Sequence, residues 1–403
     1  MNNSIKEKIQ QKEFAVLKDS HNVILRWATG VGKSHEAIML INNAQQTLNK
    51  KCRVLLVIAE RAHKDNWDAE FTKWSLDKSK FAITTICYAS LKKHYKEEYD
   101  IIILDECHHS FTDLRLEVLN TIKAKYVYAL SATLPTLDIA LFEKIWGHFN
   151  VSNITMKKAI DNNVLPEPKV NLIKLELDSL KQDQVIKYSR ANRNSPTVKY
   201  EDRWKYIKAG TPCNILCSEK QKYQYYTDNM EYWKNRYIIS HNEFQRNKWL
   251  NIASTRKRFI GDLKIRYAYK LVKSIPINKR FICFCSSILQ CSALGGKNVI
   301  HSKQSNNMSV IANFNDKKIN SLFAVGMANE GMNLNDIQIG IIIQLDGNER
   351  SFIQKYGRAM RADNPVQYIF YYKDTQDEVY LKNALENIDS KFIVNLDINQ
   401  ITI

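Results

Sequence analysis

Residues 22–34 read NVILRWATGVGKS: an apolar run, a turn with two glycines, then Lys33 and Ser34. The apolar run predicts a buried β-strand, and the stretch from Ser34 to about Leu48 reads as the helix that the turn opens. Strand, glycine turn and helix in that order make a loop suited to phosphate. Glycines let successive backbone N–H groups wrap an anion, and the helix N-terminus adds a favourable dipole. Thr29, Gly30, Val31 and Gly32 supply the cradle. Lys33 reaches the β- and γ-phosphates, and the Ser34 hydroxyl suits Mg²⁺. The strict form of this loop has glycine where the chain has Trp27.

Working outward, RVLLVIA (53–59), FAITTICY (81–88), YDIIILDE (99–106) and AKYVYALSAT (124–133) are short apolar runs separated by helical patterns. Runs of that kind predict strands buried on both faces of a parallel sheet, and hence a layered α/β domain over residues 1–165. From about 278 the alternation returns in RFICFCSS, KNVIHSK, SLFAVGM and IGIIIQLD. A second α/β domain is therefore expected over 263–403, with the closing IVNLDINQITI as an edge strand or docked tail. Between them, LPEPKVNLIKLEL carries Pro166 and Pro168, which favour an extended backbone and suit a crossing between domains. That crossing and an insertion fill 166–262.

The insertion differs from both flanks. Residues 190–260 hold 15 Lys and Arg against 6 Asp and Glu, with 12 aromatics in stretches such as YEDRWKY, EYWKNRY and STRKRF. It reads as largely helical. The whole chain has 403 residues and 59 Lys and Arg against 42 Asp and Glu, a net charge of +17. Such an excess suits a polyanionic partner, because basic side chains release counterions from a phosphate backbone. Several of the eight cysteines, such as Cys283 and Cys285, lie in apolar contexts that suit reduced thiols. Cys213 and Cys217 lack a second Cys/His pair for zinc. The polar N-terminus is no secretory signal and no apolar run is long enough to span a bilayer, so a cytoplasmic protein with no membrane partner is expected.

Asp105 and Glu106 close the run YDIIILDE. Carboxylates at the end of a buried parallel strand fall where ligands bind in open α/β sheets. Asp105 can hold Mg²⁺ through water, and Glu106 can orient or deprotonate an attacking water. Far down the chain, Gln354-x-x-Gly357-Arg358-x-x-Arg361 sets a polar side chain and two guanidiniums at helical spacing. Cations so placed stabilise the charge that develops on a transferring γ-phosphoryl group. A loop at one end and guanidiniums at the other imply two domains closing on one nucleotide.

Together these strings resemble the superfamily 2 helicases, in their DExH-type branch, and the resemblance covers both α/β domains. Asp105-Glu106-Cys107-His108 resembles the DExH box, and Ser131-Ala132-Thr133 resembles the Ser-Ala-Thr motif that couples hydrolysis to unwinding. VLPEPKV is similar to the inter-domain crossing. FAVGMANEGMNL, with Glu330 and Gly331, is similar to the motif that touches both nucleotide and nucleic acid. Gln354, Gly357, Arg358 and Arg361 match QxxGRxxR, which makes Arg358 and Arg361 the arginine fingers. The resemblance implies two tandem RecA-like domains with a helical basic and aromatic insertion between them, ATP and Mg²⁺ as cofactors, and His108, Ser131 and Thr133 as coupling residues. It also implies an upstream glutamine that reads adenine, here Gln11 or its neighbour Gln10.

By the same resemblance, nucleic acid lies across the tops of both domains, held chiefly by its backbone and hence with little sequence preference. Candidate contacts are Arg61, His63 and Lys64, then Tyr88-Ala89-Ser90, Ser286-Ser287 and His301-Ser302-Lys303. In the insertion, cations interleaved with aromatics can grip phosphates and stack on bases. STRKRF, with Arg256, Lys257 and Arg258, is the expected contact, and the same 190–260 stretch is a candidate dock for a protein partner. The expected activity is an ATP-dependent helicase or translocase acting on DNA or RNA–DNA structures, similar to compact phage-type helicases. The alternatives are an RNA helicase, an ATP-driven clamp, and the motor subunit of a restriction or defence complex.

Overall fold

The computed structural model describes residues 3–325, 334, 336–345, 364–386 and 388–398. The chain begins with α1 (Asn3–Leu17), β1 (Asn22–Trp27), α2 (Lys33–Leu48), β2 (Cys52–Ile58), α3 (Ala62–Lys73), β3 (Phe81–Cys87) and β4 (Glu98–Asp105). It continues through α4 (Asp113–Leu119), β5 (Lys123–Ser131), α5 (Thr136–Trp146), β6 (Asn150–Ile154) and α6 (Met156–Asp161). Among the described residues, six of these strands form a sheet in the order β3-β2-β4-β5-β1-β6, every pair parallel. Alternate residues face opposite cores. Val23, Leu25, Trp27, Ile101 and Ile103 pack on one side; Ile24, Ile102 and Leu104 pack on the other. Burial on both faces is why these runs are continuously apolar.

Next come β7 (Lys169–Leu175), β8 (Gln184–Tyr188), β9 (Thr197–Lys199), α7 (Arg203–Lys208), β10 (Cys213–Cys217), α8 (Glu219–Ser240), α9 (Glu243–Leu263) and α10 (Ile265–Ser274). The rest is β11 (Phe281–Phe284), α11 (Ile288–Gly295), β12 (Val299–Ile300), α12 (Asn307–Asn315), β13 (Ser321–Ala324), β14 (Ile339–Ile342), β15 (Val366–Tyr372), α13 (Gln376–Leu385) and β16 (Ile393–Asp397). A second all-parallel sheet runs β12-β13-β11-β14-β15-β7-β16 among the described residues. The two sheets with their helices are two tandem RecA-like domains.

One expectation changes here. β7 lies inside the stretch read as crossing and insertion, yet it pairs with β15 along its whole length and with β16 on its other side. The prolines mark only the turn before it, and the apolar VNLI that follows is a sheet strand. The insertion is largely helical over 190–260, as expected, through α7, α8 and α9, and it also carries a small sheet that the sequence did not announce. β8, β10 and β9 form a small sheet of their own, antiparallel and then parallel. Cys213, Ile215 and Cys217 point from it into a satellite core with Ile186 and Tyr200. The helical part is confined to α7 and the α8–α9 hairpin. Ser218 and Gln221 form a capping box that starts α8, and Asn242 caps α9, as such side chains satisfy the first free N–H groups. IVNLD forms the edge strand β16.

Candidate nucleotide site and nucleic-acid face

Because the first sheet is parallel, every strand delivers its C-terminal end to the same side. Arg26 of β1 stands level with Ser131 of β5, and Leu130 of β5 stands level with Asp105 of β4. The loop of Thr29–Gly32, the Asp105-Glu106 pair and the Ser-Ala-Thr turn are therefore neighbours in space. Gly30 and Gly32 both take left-handed backbone angles, φ +94° and +104°, which other residues adopt at a cost. A Cβ on Gly32 would collide with the Gln10 amide nitrogen, and one on Gly30 would press on Leu165.

Helix α1 ties down this loop. Lys6 Nζ donates to Gly30 O at 2.9 Å, and Gln10 Nε2 donates to Val31 O at 2.8 Å. Gln10 Oε1 meets His35 Nδ1 at 2.9 Å, and the His35 ring stacks on Trp74 at 3.5 Å. The sequence reading left Gln11 or Gln10 open, with Gln11 as the first choice. Gln11 is exposed and Gln10 is buried. One step along a helix turns a side chain by about 100°, so only one of the pair can face the loop. The Val31 side chain is buried in the core, leaving its backbone to the loop. Trp27 points away from the cradle, fully buried, and donates Nε1–H to Ser152 Oγ at 2.7 Å. Its large side chain thus replaces a glycine without entering the loop, and its carbonyl accepts from Lys33 Nζ at 3.1 Å.

Asp105 is clamped. Its Oδ2 accepts from Trp67 Nε1 at 2.8 Å and lies 3.6 Å from His63 Nδ1. Burial pushes the carboxyl up, but the hydrogen bond and charge of His63, the Trp67 N–H and the Lys33 charge together hold it below the usual range. Burial likewise opposes the charge on His63, and Asp105 overcomes it, raising the imidazole above its ordinary value. Both shifts describe an ion pair. Glu106 adopts φ +47° and lies 3.4 Å from His108 Nδ1. The same His108 nitrogen lies 3.4 Å from the buried Ser131 Oγ. Ser131 Oγ in turn donates to Thr133 O at 2.7 Å. Thus the acidic strand end and the Ser-Ala-Thr turn touch through His108.

This donor set fits a nucleoside triphosphate with a divalent cation. It offers two left-handed glycines at a helix N-terminus, the Lys33 ammonium, the Ser34 hydroxyl in the first turn of α2, and a carboxylate held ionised.

Around this centre, Arg61 and Lys64 are exposed at the start of α3. In the second domain, Ser286 follows β11 with its hydroxyl bonded to Gln290 at 3.0 Å, and exposed Lys303 follows β12. Arg256 is a correction. Expected on nucleic acid, it is buried, with Nη1 on Thr227 Oγ1 at 3.0 Å, Nη2 on Gln376 and its guanidinium over the Tyr223 ring. A helix that shows Arg258 to solvent must turn Arg256 some 200° away; Lys257 is half-buried and Arg258 exposed. Gly331, Gln354, Arg358 and Arg361 lie outside the described residues.

Residues 1–136 match the family described as Type III restriction enzyme, res subunit, and residues 263–363 match the helicase conserved C-terminal domain. The two matches together span more than half of the chain. The chain belongs to the superfamily 2 helicases. Among solved structures, this helicase-family chain is similar to S. cerevisiae Dbp5 bound to RNA and ADP BeF3, at 11% identity and TM-score 0.61, covering 98% of this chain and 90% of that one. It is similar to the Pyrococcus furiosus Hef helicase domain, at 12% identity and TM-score 0.53, covering 93% and 96%. It is also similar to the ATP-dependent Type ISP restriction-modification enzyme LlaBIII bound to DNA, at 12% identity and TM-score 0.55, covering 98% of this chain but 31% of that one. At such identities these likenesses describe the fold. No curated protein matches the sequence significantly.

Several site residues of this superfamily 2 chain escaped sequence reasoning. His63 was placed on nucleic acid but turns inward to Asp105. Trp67, four residues on and therefore on the same helix face, shares that carboxylate. Tyr88, also placed on nucleic acid, is buried and donates its hydroxyl to Asp105 O at 3.0 Å. A histidine and tryptophan spaced i, i+4 in α3 were the available signal.

Proposed function

We propose that this superfamily 2 protein is a nucleic-acid-dependent ATPase that uses hydrolysis between its two RecA-like domains to translocate on, unwind or remodel DNA or RNA–DNA structures. The single observation that carries this reading is the meeting of three strand ends: the Lys33 loop, ionised Asp105 beside Glu106, and Ser131 reached through His108. The loop and Lys33 bind the phosphates, while Ser34 and Asp105 hold Mg²⁺. The cation, when bound, neutralises charge on the phosphate oxygens. Glu106 orients the attacking water and accepts its proton. Arg358 and Arg361 stabilise charge on the transferring phosphoryl group, with Gln354 beside them and Gly331 on the nucleotide. His108, contacting both Glu106 and Ser131, links the state of the water to the Ser-Ala-Thr turn.

Nucleic acid runs across the strand ends through Arg61, Lys64, Ser286, Lys303 and the exposed Arg258, chiefly by its phosphates. DNA is the first choice, since the first-domain family is that of a restriction enzyme subunit; RNA is the alternative. Free thiols at all eight cysteines suit a cytoplasmic location, and among the described residues no helix is long and apolar enough to cross a membrane. The test is steady-state ATP hydrolysis without polymer and with single-stranded, duplex or branched DNA or RNA, beside Lys33→Ala. Strong stimulation by one polymer, absent in Lys33→Ala, is expected. Equal turnover with and without every polymer would overturn the reading.

A further inference from the structure

The α8–α9 hairpin is anchored at one end only. Its base is wired into the second domain. Lys264, just past α9, is fully buried, with Nζ on Gln344 Oε1 at 2.8 Å, Phe370 O at 3.2 Å and Asp377 Oδ2 at 2.6 Å. Gln344 Nε2 closes the ring on Asp377 Oδ1 at 2.7 Å. Nearby, Gln376 N donates to Tyr223 OH at 2.8 Å, and Arg266 pairs with Glu219 at 2.9 Å. These contacts join the base of the hairpin to the segment after β14, to β15 and to α13, so the hairpin moves with that sheet.

Beyond the base the hairpin leaves the body. None of residues 224–255, all described, is buried. The free part of α8 is about 25 Å long at 1.5 Å per residue. It is held by ring contacts across the seam: Tyr226 on Phe259, Tyr237 stacked on Trp249, and Trp233 against Phe244. At the far end Ile238 is 54% exposed, Ile239 83% and Phe244 61%. Large apolar side chains gathered in water at the tip of a projecting arm mark a contact surface. Between residues 232 and 250 the cations are Lys234, Arg236, Arg246 and Lys248, against one carboxylate, Glu243. Basic side chains around an apolar tip match duplex nucleic acid: cations take phosphates, and apolar side chains enter and unstack a base step.

Resting on the motor reading above, we propose that α8–α9 is an arm driven by the second domain, whose tip at Ile238, Ile239 and Phe244 pries apart duplex nucleic acid. The segment 254–259, with Arg258, is the arm's root, and the contact that opens the duplex lies at the opposite end. The test uses the full chain and Ile238→Ser/Ile239→Ser/Phe244→Ser, with displacement of a fluorescent strand from a forked duplex and ATP hydrolysis measured in the same tube. Fluorescence anisotropy reports forked-duplex binding separately. The ratio of strands displaced to ATP hydrolysed is expected to fall roughly tenfold, a loss of about 1.4 kcal/mol at the barrier. Arg236→Ser/Lys248→Ser is expected to weaken duplex binding and its salt dependence. An unchanged ratio in the tip variant would overturn the arm. So would unchanged duplex binding and unchanged salt dependence in the charge variant. Duplex binding by the unaltered chain with no ATPase stimulation would instead remove the motor reading and leave the arm a binding surface.

Discussion

Replacing Lys264 by methionine tests the wiring of the arm most sharply. The ammonium and the Asp377 carboxylate are both fully buried at 2.6 Å. Burial works against the charge on Lys264 and lowers its pKa, while Asp377 opposes that shift. Removing the ammonium leaves three buried acceptors, Gln344 Oε1, Phe370 O and Asp377 Oδ2, without the donor they share. Breaking a buried pair from one side costs about 3–5 kcal/mol, because an uncompensated charge stays behind. With a urea slope of about 2–3 kcal/mol per M for a domain of this size, the unfolding midpoint of the second domain should drop by about 1–2.5 M. Lys264→Met/Asp377→Asn removes the stranded charge yet keeps an acceptor for the Tyr372 N–H, which donates to Asp377 at 3.1 Å. The double variant should therefore recover at least half of the loss, a coupling visible only in a complete mutant cycle. The assay is urea denaturation followed by tryptophan fluorescence and far-UV circular dichroism. A single variant as stable as the unaltered protein, or a double variant worse than the single, would refute the reasoning.

Other predictions follow from the nucleotide site. Trp67→Phe keeps the ring but removes the N–H that holds Asp105 Oδ2; it should raise the Mg²⁺ concentration needed for half-maximal hydrolysis more than it changes the affinity for metal-free nucleotide, and equal effects on both would count against the clamp. Glu36, fully buried in the first turn of α2, has neither oxygen hydrogen-bonded, and burial followed by the Glu13 charge raises its pKa from 4.5 to about 8. A carboxyl raised in the folded state contributes stability that is complete below the unfolded value and is lost as pH climbs through the folded one. Urea midpoints should thus fall between pH 5 and 8, and Glu36→Gln should flatten that slope; an unchanged slope would contradict it. Gln10 bonds Val31 O and His35 through the two ends of its amide, which predicts that it acts chiefly as a latch on the loop. ATP and GTP should then be hydrolysed with kcat/KM values within about tenfold, one hydrogen bond's worth, and a gap of several hundredfold abolished by Gln10→Ala would refute the latch.

The first sheet was legible because strands buried on both faces write continuous apolar runs, and β1 through β5 fall where NVILRW, RVLLVIA, FAITTICY, YDIIILDE and AKYVYALS stand. β7 was not, because two prolines just before it read as linker while its partners β15 and β16 lie some two hundred residues on. Long-range pairing leaves no local mark. Within the site, loop and carboxylates were readable from residue type and order, since phosphate and metal chemistry demand those groups. What stayed hidden was which way helical side chains point. Gln10 against Gln11, Arg256 against Arg258 and His63 against Lys64 are each one or two residues apart. Such choices depend on packing against α2, α13 and β4, which composition cannot reveal.

The central claim is that two strings more than three hundred residues apart, the Lys33 loop and the Arg358–Arg361 segment, serve one phosphoryl transfer. The most direct measurement is nucleotide binding and single-turnover hydrolysis side by side in Arg361→Ala, with stimulating polymer present. Arginine fingers are worth on the order of 10³–10⁵ in kcat and act on transition-state charge. Affinity for ATP should therefore stay within a few fold while hydrolysis falls by roughly a thousandfold or more. Hydrolysis at the unaltered rate would mean the two strings do not share a site.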